Sequence, residues 1–169
     1  LDEFHPSPKS ESCMNAIEIA LKRPFAKVKW RKGHGGSGDL CYIDARDLMD
    51  RLDQVVGPMN WSDEYKEVMG RIVCTLSLRI KGEWVSKSDG ADDTSIEGAK
   101  GGLSDAFKRA GVKHGPARYL YYPGAFDANR NPAAWATPEG YDAIMAKRAK
   151  LELDKWREEY EKALSQQNP

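Results

Sequence analysis

Apolar residues occupy every second position from Arg71 to Ile80. Ile72, Cys74, Leu76, Leu78 and Ile80 fall on one side, with Val73, Thr75, Ser77 and Arg79 on the other. A period of two predicts a half-buried strand. Lys81-Gly82 then reads as a two-residue turn into a strand over Glu83–Lys87, giving a β-hairpin. A strand from Asn60 to Met69, carrying Trp61, Tyr65 and Met69, precedes it and breaks at Gly70. Nearer the start, Phe25 to Arg31 alternates as well. Lys27, Lys29 and Arg31 face one way and Ala26, Val28 and Trp30 the other, the pattern of a strand with a basic face. Leu40 to Ile43 resumes as a strand after the glycine-rich tip Gly33-His34-Gly35-Gly36-Ser37-Gly38.

Elsewhere the period lengthens to that of a helix. Cys13 to Lys22 predicts a short amphipathic helix stopped by Pro24. Asp44 predicts the cap of a helix with apolar positions Ala45, Leu48, Met49, Leu52, Val55 and Val56, closed by Gly57-Pro58. An acidic turn around Asp89, Asp92 and Asp93 leads to Thr94-Ser95-Ile96-Glu97, which has the form of a capping box. The helix it opens carries a stripe of Ile96, Ala99, Leu103, Ala106, Phe107 and Ala110 and ends in Lys108-Arg109. From Gly111 to Trp135 the pattern is irregular and aromatic, with Tyr119, Tyr121, Tyr122 and Phe126. Those rings suit either covering of the core, a subunit contact, or stacking on unpaired bases. Thr137-Pro138-Glu139 caps a last helix with a stripe of Tyr141, Met145, Ala149, Leu153, Trp156, Tyr160 and Ala163. At about 1.5 Å per residue this helix outruns a small domain, which points to packing on a neighbouring copy. The expected fold is α+β: an antiparallel β-meander and hairpin packed against helices, with a long C-terminal helix. Its expected parts are an arm over 1–12, one domain over 13–122, an irregular linker over 123–136 and the helix over 137–169.

Composition narrows the function classes. A chain of 169 residues suits one domain. No apolar run is long enough to span a membrane, and no signal-peptide pattern opens the sequence. The absence of an initiator Met suggests trimming. Cys13, Cys41 and Cys74 lack metal-site spacing, and His5, His34 and His114 lie near none of them. No zinc site is expected, and three reduced thiols suit a cytoplasmic protein. The glycine-rich tip lacks the Gly-Lys-Ser/Thr of a nucleotide-binding loop, so no cofactor is expected. Net charge is zero, which argues weakly against nucleic-acid binding. The distribution argues the other way. Lys22, Arg23, Lys27, Lys29, Arg31 and Lys32 cluster without an acid, as in a polyanion-binding groove on an otherwise balanced protein.

On the 94–110 helix, Gly98, Gly101 and Gly102 share a face opposite the stripe, continued by Asp105 and Arg109 with Lys108 beside it. Each interior glycine costs about 1 kcal/mol relative to alanine, so this face admits close approach. The visitor is a phosphodiester strand, a neighbouring subunit, or the protein's own sheet. The Lys108-Arg109 pair favours the strand.

Two stretches carry a family resemblance. Cys41-Tyr42-Ile43-Asp44 through Gly57-Pro58-Met59-Asn60-Trp61, and Ser88-Asp89-Gly90-Ala91 through Phe107-Lys108-Arg109-Ala110, resemble the Rad-fifty-two-type single-strand annealing proteins, above all their bacterial and phage branch. The likeness covers about residues 14–122. It implies a ring or helical homo-oligomer of sheet-plus-helix subunits. It implies single-stranded DNA in a positively charged groove between hairpin and helix, bases outward, and annealing in recombination and repair without nucleotide hydrolysis. The family's Lys-Arg pair falls on Lys108 and Arg109, and its earlier helix lysine on Lys100. Its basic residue after the Cys41-Tyr42-Ile43 segment has no clean match: Arg46 stands one position early and Asp47 takes the place. The helix after Thr137 lies outside the likeness. Expected partners are single-stranded DNA, further copies of the chain and a single-strand-binding or recombination protein.

Two other functions stay open. Asp89, Asp92, Asp93 and Glu97 could hold a metal for phosphodiester cleavage, although capping explains the same residues. The last helix could instead serve an oligomeric scaffold that never touches DNA.

Overall fold

The computed structural model describes residues 16–36, 38–92 and 98–167. The predicted arm, the Thr94–Glu97 capping box and the acids Asp93 and Glu97 lie outside the described residues. The order of elements is α1 (16–22), β1 (Lys29–Lys32), β2 (Asp39–Tyr42), α2 (Ala45–Val55), β3 (Trp61–Val68), β4 (Arg71–Ile80), β5 (Glu83–Asp92), α3 (Gly98–His114) and α4 (Pro138–Gln167). The expected α+β class holds, with two antiparallel sheets and a long C-terminal helix.

β3, β4 and β5 form a meander, and β1 and β2 a separate hairpin. Register pairs Val68 with Arg71 and Ile80 with Glu83. Both connections are therefore two-residue turns. Met69-Gly70 and Lys81-Gly82 all have positive φ, the backbone that matches the twist of a tight hairpin. β5 is longer than its sequence suggests. Ser88 to Asp92, expected as an acidic turn, stays paired to β4 through Arg71↔Asp92, because Gly90 lies flat against Val73 and the outer face is wet.

The alternation in β4 sets the core. Cys74, Leu76 and Leu78 are fully buried, and α3 covers them with Ala106, Phe107 and Ala110. α2 adds Leu48 and Leu52, and α1 adds Leu21. The other face of the sheet is polar, with hydroxyl pairs Thr75–Ser88 and Ser77–Ser86 at 2.7 Å.

Two expectations about α3 change. The helix does not end at Lys108-Arg109 but runs on to His114, with Gly115 (φ 130°) after it. Gly111 is inside it because Leu48 occupies the space: a Cβ there would sit 2.4 Å from Leu48 Cδ2. Of the expected stripe Ala106, Phe107 and Ala110 are buried, but Leu103 is not. Leu103 is 41% exposed, whereas Gly102 is buried against Ile72. Gly102 thus serves the protein's own sheet, while Gly101 faces open space.

Arg51 is 7% exposed. Its guanidinium donates to the carbonyls of Ala20, Leu21, Arg23 and Pro24 and lies 4.2 Å over the Phe25 ring, tying α2 to the chain after α1. Among the described residues, the side-chain bonds that fasten α4 to the rest of the fold lie near its start. Thr137 Oγ1 caps it by accepting from the Gly140 amide at 3.1 Å, Arg23 forks onto Asp142 at 2.8 Å, and Tyr141 donates to the Ile19 carbonyl. Beyond that, Leu151, Leu153, Trp156 and Tyr160 are exposed, with Trp156 and Tyr160 stacked at 5.3 Å. Among the described residues no helix is long and apolar enough to cross a membrane.

Candidate nucleic-acid interface

α3 presents its outer face toward the β1–β2 hairpin, and the segment after α3 closes the space between them. The result is an open cleft of about 930 Å³. Lys108 and Arg109 line it from α3, Arg31 and Tyr42 from the hairpin, Arg71 from the start of β4, and Tyr121 and Arg130 from the segment after α3.

Helical spacing puts Asp105, Lys108 and Arg109 on one exposed side of α3. Lys108 Nζ sits 3.1 Å from Asp105 and 5.7 Å above the Tyr42 ring. The Arg31 guanidinium approaches the same ring at 5.7 Å. Tyr42 is thus an apolar body held between two cations. Arg109 lies 3.4 Å from Asp89 of β5, and Lys113 3.8 Å from the same carboxylate. Arg130 bonds Asp39 at 3.0 Å and lies 5.2 Å over Trp30, which meets Phe126 edge-on. The lining is therefore cationic, with acids and aromatics placed to hold each cation in position.

Of the basic residues predicted from sequence, the fold gathers Arg31, Lys108 and Arg109 into this cleft. Lys27 and Arg46 are exposed elsewhere. β1 begins only at Lys29, so Lys27 precedes the strand. Lys29 points to the N-terminus of α2, where it pairs with Asp44 and approaches Asp47 at 4.0 Å. The hydrogen bond from Lys29 and the Asp47 amide holds the Asp44 carboxyl down to about 2. Lys100 lies on α3, but its side chain is outside the described residues. Arg71 and Arg130 were not found by sequence reasoning. Their places come from the sheet register and from the Asp127–Asn131 turn, whose bonds to the Asp127 carboxylate aim the chain back at Asp39.

Burial pushes the Cys41 thiol up to about 11, so it stays protonated. Asp89 is engaged by Arg109 and Lys113. The side chains of Asp92, Asp93 and Glu97 are outside the described residues. Among the described residues no group of three His, Cys, Asp or Glu side chains is placed to hold a metal ion. What the cleft can do is bind an extended polyanion that also carries flat apolar surface.

Comparison with known proteins gives the same direction. A family model described as Rad52/22 family double-strand break repair protein matches residues 13–127. The single-stranded DNA-binding protein DdrA of Deinococcus radiodurans is 36% identical over 146 residues, covering 75% of this chain and 70% of that protein. The single-stranded DNA-binding protein DdrA of Deinococcus deserti is 32% identical over 146 residues, covering 75% of this chain and 72% of that protein.

Proposed function

Because the chain belongs to the Rad52/22 family of double-strand break repair proteins, we propose that it binds single-stranded DNA in its basic cleft and anneals complementary strands, without ATP, in recombination and repair. The observation that carries the proposal is the convergence of Arg31, Lys108, Arg109 and Arg130 on one open cleft. Each side chain neutralises a phosphate, and release of counterions drives binding. Bases left outward remain free to test a second strand for pairing. Nothing in that sequence of events needs a nucleophile, a general acid or a metal.

The domain over 13–122, joined by Arg130 of the 123–136 linker, carries the strand and assembles into a ring or helical homo-oligomer, with 1–12 as an arm. The helix over 137–169 adds a contact to another copy or to a single-strand-binding or recombination protein. Its exposed Leu151, Leu153, Trp156 and Tyr160 support that role. Many subunits in a row multiply weak contacts along one strand. Its setting is the DNA of a bacterial or phage-infected cytosol. Lys100, Lys27, Lys29 and Arg46 lie at the margin of this reading, and Lys108 and Arg109 at its centre.

The test is fluorescence anisotropy of a labelled oligo-dT across a salt series without ATP or magnesium. Steep weakening with salt is expected. Lys108→Ala with Arg109→Ala removes two phosphate contacts per engaged subunit at about 0.7 each in the log–log slope, so for each subunit on the strand the slope falls by about 1.4, or about 25-fold in affinity at 0.1 M salt. Size-exclusion should show the oligomer intact, because both side chains sit outside the core. A double variant with unchanged affinity and slope would refute the assignment.

A further inference from the structure

Tyr121 lines the same cleft as the cations yet has no structural task among the described residues. Its side chain belongs to a residue 69% exposed. The other rings nearby are committed. Tyr42 holds Arg31 and Lys108, Trp30 holds Arg130 and Phe126, Tyr122 leans on Trp135 at 6.5 Å, and Tyr119 is buried with its hydroxyl accepting from the Phe25 amide. Among the described residues Tyr121 makes no ring contact at all.

Its backbone is nevertheless fixed. Tyr121 closes a short 3-10 turn, Arg118–Tyr121. Arg118 bolts that turn to the end of α3, donating from Nε to the Val112 carbonyl at 3.0 Å and from Nη2 to the Lys113 carbonyl at 2.6 Å. The helix that carries Lys108 and Arg109 therefore also sets where Tyr121 stands. The turn thus holds an exposed phenol ring beside phosphate-seeking cations, where one of its faces is open to a stacking partner. In a single strand, an unpaired base lies one bond sequence away from every phosphate, and any base can stack on a phenol ring. A duplex offers phosphates at the same density but keeps its base faces inside the stack.

We infer that Tyr121 is a base-stacking residue that holds one unpaired nucleobase per subunit inside the cleft and gives the protein its preference for single strands over duplex. The inference rests on the proposed binding of DNA in this cleft. The phosphates of that strand lie on Lys108 and Arg109, one base folds in against Tyr121, and the remaining bases stay outward. One captured base per subunit also fixes the register of the strand from one copy to the next.

The experiment compares a labelled oligo-dT with an abasic oligonucleotide of equal length, on wild type, Tyr121→Ala and Tyr121→Phe, with size-exclusion as a control. Wild type should bind oligo-dT about tenfold more tightly than the abasic strand for each subunit engaged, within the range of one base stacked on an aromatic ring. Tyr121→Ala should lose that gap while keeping its salt slope and its abasic affinity. Tyr121→Phe should keep the gap, since stacking needs the ring and not the hydroxyl. If Tyr121→Ala keeps the gap, or weakens both ligands equally, the stacking role is wrong. If Tyr121→Ala changes the oligomer while binding both ligands as wild type does, the ring is a subunit contact and the inference falls. If wild type binds neither ligand at low salt, the DNA-binding reading itself has failed, and this inference with it.

Discussion

Replacing Arg51 tests the packing logic of the fold apart from DNA. A buried guanidinium is expensive unless its donors are met, and here four backbone carbonyls meet them. Nη1 faces Ala20 O at 3.2 Å, Leu21 O at 3.3 Å and Arg23 O, and Nη2 faces Pro24 O at 3.4 Å. Burial lowers the pKa of the group, yet an arginine remains charged. Three acceptors share one nitrogen, so they act as about two bonds, and the Nη2 contact is long. At about 1.5–3 kcal/mol for a charge-assisted bond, with the Phe25 stacking lost as well, Arg51→Ala should cost about 3–4 kcal/mol. For a chain of this size about 2–4 °C follows each kcal/mol, so Tm in a circular-dichroism melt should fall by about 6–16 °C. Arg51→Lys keeps charge but not the fork, and should fall between the two. Affinity for oligo-dT at low temperature should hold, because Arg51 is not part of the cleft. A drop of less than about 2 °C in Arg51→Ala would mean that water serves those carbonyls equally well, and the clamp argument would be wrong.

Two further predictions concern α3. Gly111→Ala gains about 1 kcal/mol of helix propensity but drives a Cβ into Leu48, which is 1% exposed and has nowhere to go; overpacking of about 1–3 kcal/mol leaves a net loss, read as a lower Tm. Gly102→Ala meets only the tip of the half-buried Ile72 at 2.9 Å, so the same melt should show no loss, and equal effects at both sites would contradict the packing described. His114 is 8% exposed and donates from Nε2 to the Leu76 carbonyl at 2.8 Å; burial lowers its pKa below the usual 6.5. The unfolded chain therefore binds the proton more readily than the folded one, so the stability from neutral His114 is present above about pH 6.5 and lost as pH falls below it. His114→Gln, which can still donate, should flatten Tm between pH 7 and 5, and parallel wild-type and variant curves would exclude His114 as the cause.

The parts of the fold legible in the sequence are those set by neighbours along the chain. The alternation of β4, the two-residue turn at Lys81-Gly82, the Asp44 cap and the Thr137 cap all depend on residues within a few positions, whereas Met69, expected in the strand, falls in the turn with Gly70. The parts that were not legible depend on distant partners. Gly111 looks like a helix stop until Leu48 is seen against it. Gly102 looks like part of an open face until Ile72 covers it. Lys29 looks like a groove residue until Asp44, at the start of α2, takes it up. Of the cleft, Lys108, Arg109 and Arg31 were marked by charge pattern and by likeness. Arg130 gave no local signal, because only the turn at Asp127 carries it back to Asp39.

A chain with zero net charge can still hold a polyanion if its cations are paired locally and weakly. In this cleft Lys108 leans on Asp105, Arg109 and Lys113 on Asp89, and Arg130 on Asp39. All of these groups are partly exposed, where an ion pair contributes about 0–1 kcal/mol. Such pairs hold long side chains aimed into the groove at little cost to break. A lone phosphate gains scarcely more from Lys108 than Asp105 already gives. A strand is different, because its phosphates arrive tethered to one another and release condensed counterions together. On the proposed function, the acids therefore make binding conditional on an extended strand and suppress capture of small anions. The local pairing of these cations is then part of the cleft's selectivity, and the neutral composition of the whole chain is no argument against a cleft whose own lining is cationic.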